Sequence, residues 1–365
     1  MDDLAAALAR AHPELEAVRA AAAEPVFLVG GAVRDLLLGR PRADVDLVVE
    51  GDAAALAGRL GGPSAEHERF GTVKVEVGGH ELDIASARRE SYPEPGALPV
   101  VEAGETVESD LARRDFTINA MAIPLAEPGC LIDPFGGHAD LERGLLRVLH
   151  DASFLDDPTR AIRAARYAAR FGFELEPRTE ELLRRTDLGT ISADRRRGEL
   201  ERLAGEATAP HGFALLARWG LVRLREEGVE MAELVLELLG GPPWEGTVAR
   251  SEAVLAAALG PPGREAELAE ATVGSPSEAV ALAAGRTGLE LLLARALGAD
   301  WLEPYMTKWS KVALEIDGAD LLAAGVPQGP LLGRGLEAAL RAKLDGEVDG
   351  PQQELEVALE AARGG

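Results

Sequence analysis

Asp44 and Asp46 stand two positions apart in the run Asp44-Val-Asp-Leu-Val-Val49. In an extended segment alternate side chains leave the same face, so both carboxylates project together while Val45 turns toward the core. Two converging carboxylates suit a hard divalent cation, Mg²⁺ above all. Taken alone, D-x-D is a weak motif that reads more readily as two solvated acids at a loop edge. Upstream, Gly30-Gly31 falls between an apolar run and a helical one. Bare backbone amides at such a helix N-terminus can hold a phosphate. Arg34, one turn in, adds a charge-assisted donor, and Asp35 reads as an arginine's partner. Asp83 reads either as a third carboxylate that completes two metal positions or as a strand-edge acid. Together these residues suggest phosphoryl or nucleotidyl transfer, with Mg²⁺ clamping a triphosphate and no need for a covalent nucleophile.

The elements that must position these groups are mixed α/β over residues 1 to about 150. The pattern predicts an amphipathic helix over Leu4–Ala22, a strand at Val26–Val29 and a helix over Ala32–Leu38. A second strand, carrying Asp44 and Asp46, follows Gly39-Arg-Pro-Arg42. Alternation over Val73–Val77 and Glu81–Ile84, joined across Gly78-Gly79, predicts a hairpin. Arg88–Val107, with Pro93, Pro95 and Pro99, reads as a long mobile loop. From Asp151 onward the pattern is helical without a convincing strand, with breaks at Gly240–Pro243, Gly260–Gly263 and Gly325–Pro330, and a last short helix ending in Arg363-Gly-Gly.

The chain has 365 residues, enough for more than one domain, and 47% hydrophobic content, enough for a real core. A formal net charge of −24 argues against a generic polyanion binder, so any nucleic-acid contact needs a local basic surface on an acidic body. Cys130 is the single cysteine, which excludes an intrachain disulfide and a thiolate zinc cage and favours a reducing cytoplasm. His67, His80, His138, His150 and His211 show no metal-ligand spacing. The N-terminal stretch lacks a basic signal-peptide region and no apolar run is long enough for a bilayer, so no membrane association is expected.

Phe27-Leu-Val-Gly-Gly-Ala-Val-Arg-Asp35, Asp44-Val-Asp46 and Arg113-Arg-Asp-Phe-Thr-Ile-Asn-Ala-Met-Ala122 together resemble the bacterial class II tRNA nucleotidyltransferases of the polymerase-β superfamily, the group of CCA-adding enzymes and bacterial poly(A) polymerases. Ile132-Asp-Pro-Phe-Gly-Gly137 and Ser153–Tyr167 extend the likeness, and Val312–Leu321 resembles the family's tail. The resemblance implies an α/β nucleotidyltransferase head with a polymerase-β-like mixed sheet (1–149), followed by an all-α neck with the nucleotide-selecting motif (150–210), body (211–305) and tRNA-binding tail (306–365). It implies Asp44 and Asp46 as metal ligands, and Gly31, Arg34 and Arg114 as nucleotide contacts. Asp157, Arg160, Arg163 and Arg166 would form the rest of the nucleotide pocket. Implied partners are CTP, ATP and the acceptor end of tRNA; no protein partner is inferred.

The chemistry of the pocket can be read independently. Cytosine and adenine both present an amino donor beside a ring-nitrogen acceptor, whereas uracil and guanine present a carbonyl beside an N–H. A carboxylate at Asp157 and a guanidinium at Arg160 match the first pair and oppose the second, so CTP and ATP can be chosen without a template. Asp157-Pro158 also reads as a helix cap. Arg160, Arg163, Arg166 and Arg170 share one helical face, whose ordinary meaning is a solvated basic stripe. Asp115 and Asn119 read either as nucleotide contacts or as structural groups, and Arg195–Arg197 as a contact to RNA phosphate or, more simply, as a solvated turn. Asp156 stands where the family usually has glutamate. The expected activity is CMP and AMP addition to the 3′ end of tRNA. A partial adder, a poly(A) polymerase and a silent RNA-binding scaffold are the alternatives; the full-length 88–107 segment argues against a loop-shortened CC-only type.

Overall fold

The protein is described here from a computed structural model covering all residues except Met1, 41–43, 63–64, 68–71, 262 and 364–365. Parts of the turn expected before Asp44, of the Gly260–Gly263 break and of the chain's last residues lie outside the described residues. The chain divides into two compact units, Met1–Val222 and Arg223–Gly365.

The first unit opens with α1 (Asp2–Ala11) and α2 (Leu15–Ala21). One helix was expected here. Pro13, which has no N–H to donate and clashes with the preceding turn, divides it in two. Then follow β1 (Val26–Val29), α3 (Gly31–Leu37), β2 (Val45–Val49), α4 (Ala53–Arg59), β3 (Ala65–His67), β4 (Thr72–Val77) and β5 (His80–Ser86). Gly78 and Gly79, both at positive φ, make the tight turn between β4 and β5. The supposed mobile loop is a hairpin, β6 (Arg88–Ser91) with β7 (Val100–Ala103), paired from Arg88↔Ala103 to Ser91↔Val100. Its three prolines lie in the connection between the strands, so no ladder N–H is lost.

After α5 (Val107–Ala112) come β8 (Ala122–Pro124), α6 (Gly137–Arg143), β9 (Leu145–Leu146), α7 (Ser153–Asp156), α8 (Thr159–Phe171), β10 (Glu174–Leu175), α9 (Pro177–Leu183), α10 (Ala193–Ala204) and α11 (Ala209–Arg218). The main sheet runs β3-β4-β5-β2-β1-β8. In it β2 and β5 are parallel neighbours and the other pairs antiparallel, a mixed sheet as expected. β10 is a correction to the strand-free reading after Asp151. It is two residues long, too short for periodicity to register, and pairs in parallel with β9.

The core of the first unit sits on the sheet, with Leu28, Leu47, Leu56, Leu82 and Ile84 fully buried together with Phe116, Ile118 and Met121. The second unit is helical among its described residues. Its elements are α12 (Gly228–Leu239), α13 (Arg250–Leu259), α14 (Glu265–Glu270), α15 (Pro276–Ala283), α16 (Gly288–Ala296), α17 (Leu302–Thr307), α18 (Gly318–Ala323), α19 (Pro330–Leu344) and α20 (Pro351–Arg363). A separate apolar cluster of Ile316, Leu321, Val326, Ala339, Ala358 and Ala362 holds its C-terminal helices together.

Candidate active site

The parallel register of β2 on β5 sets Asp46 directly beside Asp83, and Val45, between Asp44 and Asp46, is buried while both acids are exposed. The alternation thus puts the two carboxylates on one face. Although Asp46 is exposed in an open cleft, the protein around it raises the cost of charging it and pushes its carboxyl up. Arg114 works against that rise, while Asp83 and Asp44 add to it. Crowded carboxylates of this kind are relieved by a cation. Lys74 already supplies one, its Nζ lying 3.3 Å from Asp83 Oδ1. Among the described residues no three acidic or histidine groups stand close enough to be a ready-made metal cage. The all-oxygen donor set of Asp44, Asp46 and Asp83 nonetheless fits a hard divalent ion.

Beside this face, β1 ends in the Gly30-Gly31 turn. Gly30 has φ +68°, which favours glycine, and a Cβ there would lie 2.5 Å from the Arg114 guanidinium and push it aside. Arg34, in the first turns of α3, is buried and donates to Asp35 Oδ1 (2.9 Å) and to Asn119 Oδ1 (2.6 Å). Its guanidinium also lies over the rings of Phe171 and Tyr167, at 4.6 and 5.4 Å. Asn119 passes the contact on by donating through Nδ2 to Asp115 Oδ1 (2.9 Å). Asp115 Oδ2 in turn accepts from Arg163 Nε (2.8 Å). Burial alone would push the Asp115 carboxyl up. The Arg163 guanidinium, the Asn119 amide and Arg160 outweigh it and hold the group at about 2.

On the arginine face of α8, Arg160, Arg163 and Arg166 are covered, while Arg170 is exposed. Arg160 is buried, donating through Nη1 to Ser153 Oγ (2.6 Å) and through Nη2 to the Arg113 carbonyl (2.7 Å), which leaves further guanidinium N–H groups available. Arg166 lies against the Tyr167 ring and 3.8 Å from Glu206, with its buried Nε unpartnered. Asp157 does serve as a cap, its Oδ1 accepting from the Thr159 backbone N–H (3.1 Å) and hydroxyl (2.7 Å).

One cavity of about 480 Å³ is lined by Gly30, Gly31, Arg34, Asp46 and Asp83 on its sheet side and by Arg114, Asp115, Asn119, Asp157, Arg160, Arg163 and Arg166 on the other. Asp44 is not among the lining residues, although its charge reaches Asp46.

The sequence reading missed five cavity or support residues. Asp110, wholly buried, binds both Arg113 (2.7 Å) and Arg114 (2.9 Å). Glu90 of β6 binds Arg113 (3.0 Å) and accepts from the Tyr92 hydroxyl (3.2 Å). The fifth is Arg195, which reaches Asp157 (2.9 Å). Asp110 was open to detection, since it lies three and four residues before two arginines on a helix end. The hairpin and Arg195 contacts carry no such local signal.

The family model for the poly A polymerase head domain matches residues 26–147. An A-adding tRNA nucleotidyltransferase of Halalkalibacterium halodurans is 47% identical over 204 residues, 52% of this chain and 48% of that protein. The chain thus spans about half or less of the length of the A-adding relatives it matches. A CC-adding tRNA nucleotidyltransferase of Deinococcus radiodurans is 36% identical over 347 residues, 90% of this chain and 87% of the relative. This chain belongs to the tRNA nucleotidyltransferase family. Among solved structures, the Thermotoga maritima CCA-adding enzyme complexed with tRNA superposes with a TM-score of 0.77 at 30% identity over 98% of both chains. The tRNA nucleotidyltransferase fold of this chain is thus a mixed-sheet head followed by helices, and such nucleotidyltransferases generally work with a divalent metal. Among the described residues no helix is long and apolar enough to cross a membrane.

Proposed function

We propose that this chain adds CMP and AMP from CTP and ATP to the 3′ end of tRNA, without a template and with Mg²⁺, releasing pyrophosphate. The observation that carries the reading is one cavity in which the Asp46 and Asp83 carboxylates, a glycine turn and a set of arginines meet. In this reading Asp44 and Asp46, with Asp83, hold the metal. When bound, Mg²⁺ supplies charge neutralisation on the triphosphate and acidifies the attacking hydroxyl. The amides of Gly30 and Gly31, with Arg34 and Arg114, bind and orient the triphosphate. Asp157 accepts from the exocyclic amino group of cytosine or adenine and Arg160 donates to the ring nitrogen. Asp115, Asn119, Arg163 and Arg166 keep these groups in place around the sugar and phosphates. The head is assigned to 1–149, the neck to 150–210, and the body and tail that grip the acceptor end of tRNA to 211–305 and 306–365. A cytoplasmic location suits a tRNA substrate and a lone cysteine.

Partial addition is a second reading, favoured by the partial-adding relatives of Halalkalibacterium and Deinococcus. Incubation with Mg²⁺, labelled CTP or ATP, and tRNAs lacking the whole CCA end, only its last residue, or nothing separates the readings. Full addition incorporates both nucleotides into the first tRNA; a partial adder incorporates one kind; poly(A) synthesis extends the complete tRNA. No incorporation into any of them refutes the activity and leaves the scaffold reading.

A further inference from the structure

Arg195, Arg196 and Arg197 follow one another in the first turns of α10, yet only Arg195 is drawn inward; its two neighbours are exposed. A guanidinium in a first helical turn faces the positive end of the helix dipole, so the helix gains nothing from it there. Its stabilising contacts lie elsewhere. Nη1 donates to the carbonyl of Gly96 (2.7 Å), 99 residues away in the connection of the β6–β7 hairpin. Nη2 donates to Asp157 Oδ1 (2.9 Å), 38 residues away.

The hairpin tip is fitted closely to this place. The Gly96 N–H donates to the Leu155 carbonyl (3.1 Å), two residues before Asp157. Gly96 has φ +71°, and a Cβ on it would stand 2.7 Å from the Thr190 carbonyl oxygen, so the backbone docks with no room for a side chain. Among the described residues, the protein donors to the Asp157 carboxylate all fall on Oδ1: the Thr159 N–H, the Thr159 hydroxyl and Arg195. One oxygen is saturated and the other is left to a ligand.

We propose that Arg195 is the positioning residue for base selection: by tying Asp157 Oδ1 to the hairpin tip it fixes the carboxylate plane, so that Oδ2 alone is offered to the amino group of the incoming base. This rests on the nucleotide-selecting reading of Asp157 given above. A planar fork with two separate donors can bridge a carbonyl and a carboxylate; an ammonium is a single point donor. A carboxylate free to turn could present either oxygen, or water, and would discriminate less between an amino group and a carbonyl.

The test measures kcat/KM for CTP against UTP, or ATP against GTP, whichever pair the wild-type protein discriminates on a tRNA lacking the corresponding nucleotide. Arg195→Ala is expected to lower that ratio about tenfold, the size of one displaced hydrogen bond. Arg195→Lys should fall between, and Gly96→Ala, which pushes the tip off Thr190 while leaving Arg195 in place, should lower the ratio in the same direction. Arg196→Ala, an exposed neighbour, should leave it unchanged. Thermal melts establish that each variant is folded; if the alanine variant is not, Arg195→Lys and Gly96→Ala decide. A folded Arg195 variant with the wild-type ratio, or with kcat/KM lowered equally for both nucleotides, overturns the proposal. Wild-type protein that incorporates no nucleotide refutes the underlying activity instead.

Discussion

Asp115 in the first unit and Glu354 in the second are both buried carboxylates held by a cation, and they differ in what lies beside them. Glu354 accepts from the backbone N–H groups of Glu315 (2.8 Å) and Ile316 (3.3 Å) and from Lys343 (2.5 Å). Its partners are Lys343 of α19 and the backbone just before α18, and the charge is spent on tying these to α20. Asp115 is satisfied just as fully, but its cation, Arg163, and its amide partner, Asn119, both line the cavity. Burying a charge costs several kcal/mol even when it is paired, so either carboxylate alone would be weak testimony to function. The open space of about 480 Å³ next to the Asp115 network is what separates an organised site from a structural clasp.

That contrast can be broken or sharpened experimentally. The largest effect is expected at the cavity floor: Asp46→Ala should cut transfer of every nucleotide by about a thousandfold or more while the melting temperature stays near the wild-type value. Transfer that survives within tenfold would remove Asp46 from the chemistry. On the clasp side, Glu354→Ala leaves two backbone donors unpaired and Lys343 with only Glu315 (3.2 Å), and should lower Tm by roughly 10 °C without changing the preference for CTP over UTP. A changed preference would mean that the second unit's buried charge is not merely structural.

Asp115 gives an acid-side test of the same comparison. Its folded pKa of about 2 lies below the unfolded carboxylate value of about 3.9, so its stabilisation is complete above that value and lost as pH falls toward 2. Wild-type protein should exceed Asp115→Asn in stability by roughly 2 kcal/mol near neutrality, and the gap should close between pH 4 and 2 in denaturant titrations. A gap independent of pH would show that the ionised form is not what the network holds. The smallest effect is expected for Arg160→Ala, a loss of about tenfold in discrimination between CTP and UTP. Normal discrimination by that variant would remove Arg160 from base reading.

Much of the fold was legible because its signals are local. Alternation around Val45 identified the carboxylate face, the paired glycines marked both the turn between β1 and α3 and the β4–β5 hairpin, and a run of apolar residues gave β1. The failures have equally physical causes. Leu4–Ala22 has helical periodicity throughout, and only the missing N–H of Pro13 breaks it. Arg88–Val107 looked like a loop because its prolines mask two short strands that pair only with each other. For the arginine face of α8 both a solvated stripe and a pocket wall were open to the sequence, because helical period alone does not distinguish water from the groups that cover Arg160, Arg163 and Arg166.

The sequence by itself determined which residues could share a face, since strand and helix periods are properties of the chain. It also carried the motifs that mark the family. Only the tertiary structure decided which faces meet. The Asp46–Asp83 pairing depends on strand register, Asp115–Arg163 spans 48 residues, and Arg195 reaches Gly96 across 99. Such convergences are set by the burial of the sheet and helix cores behind them, whose free energy outweighs the cost of desolvating and pairing the charges they bring together.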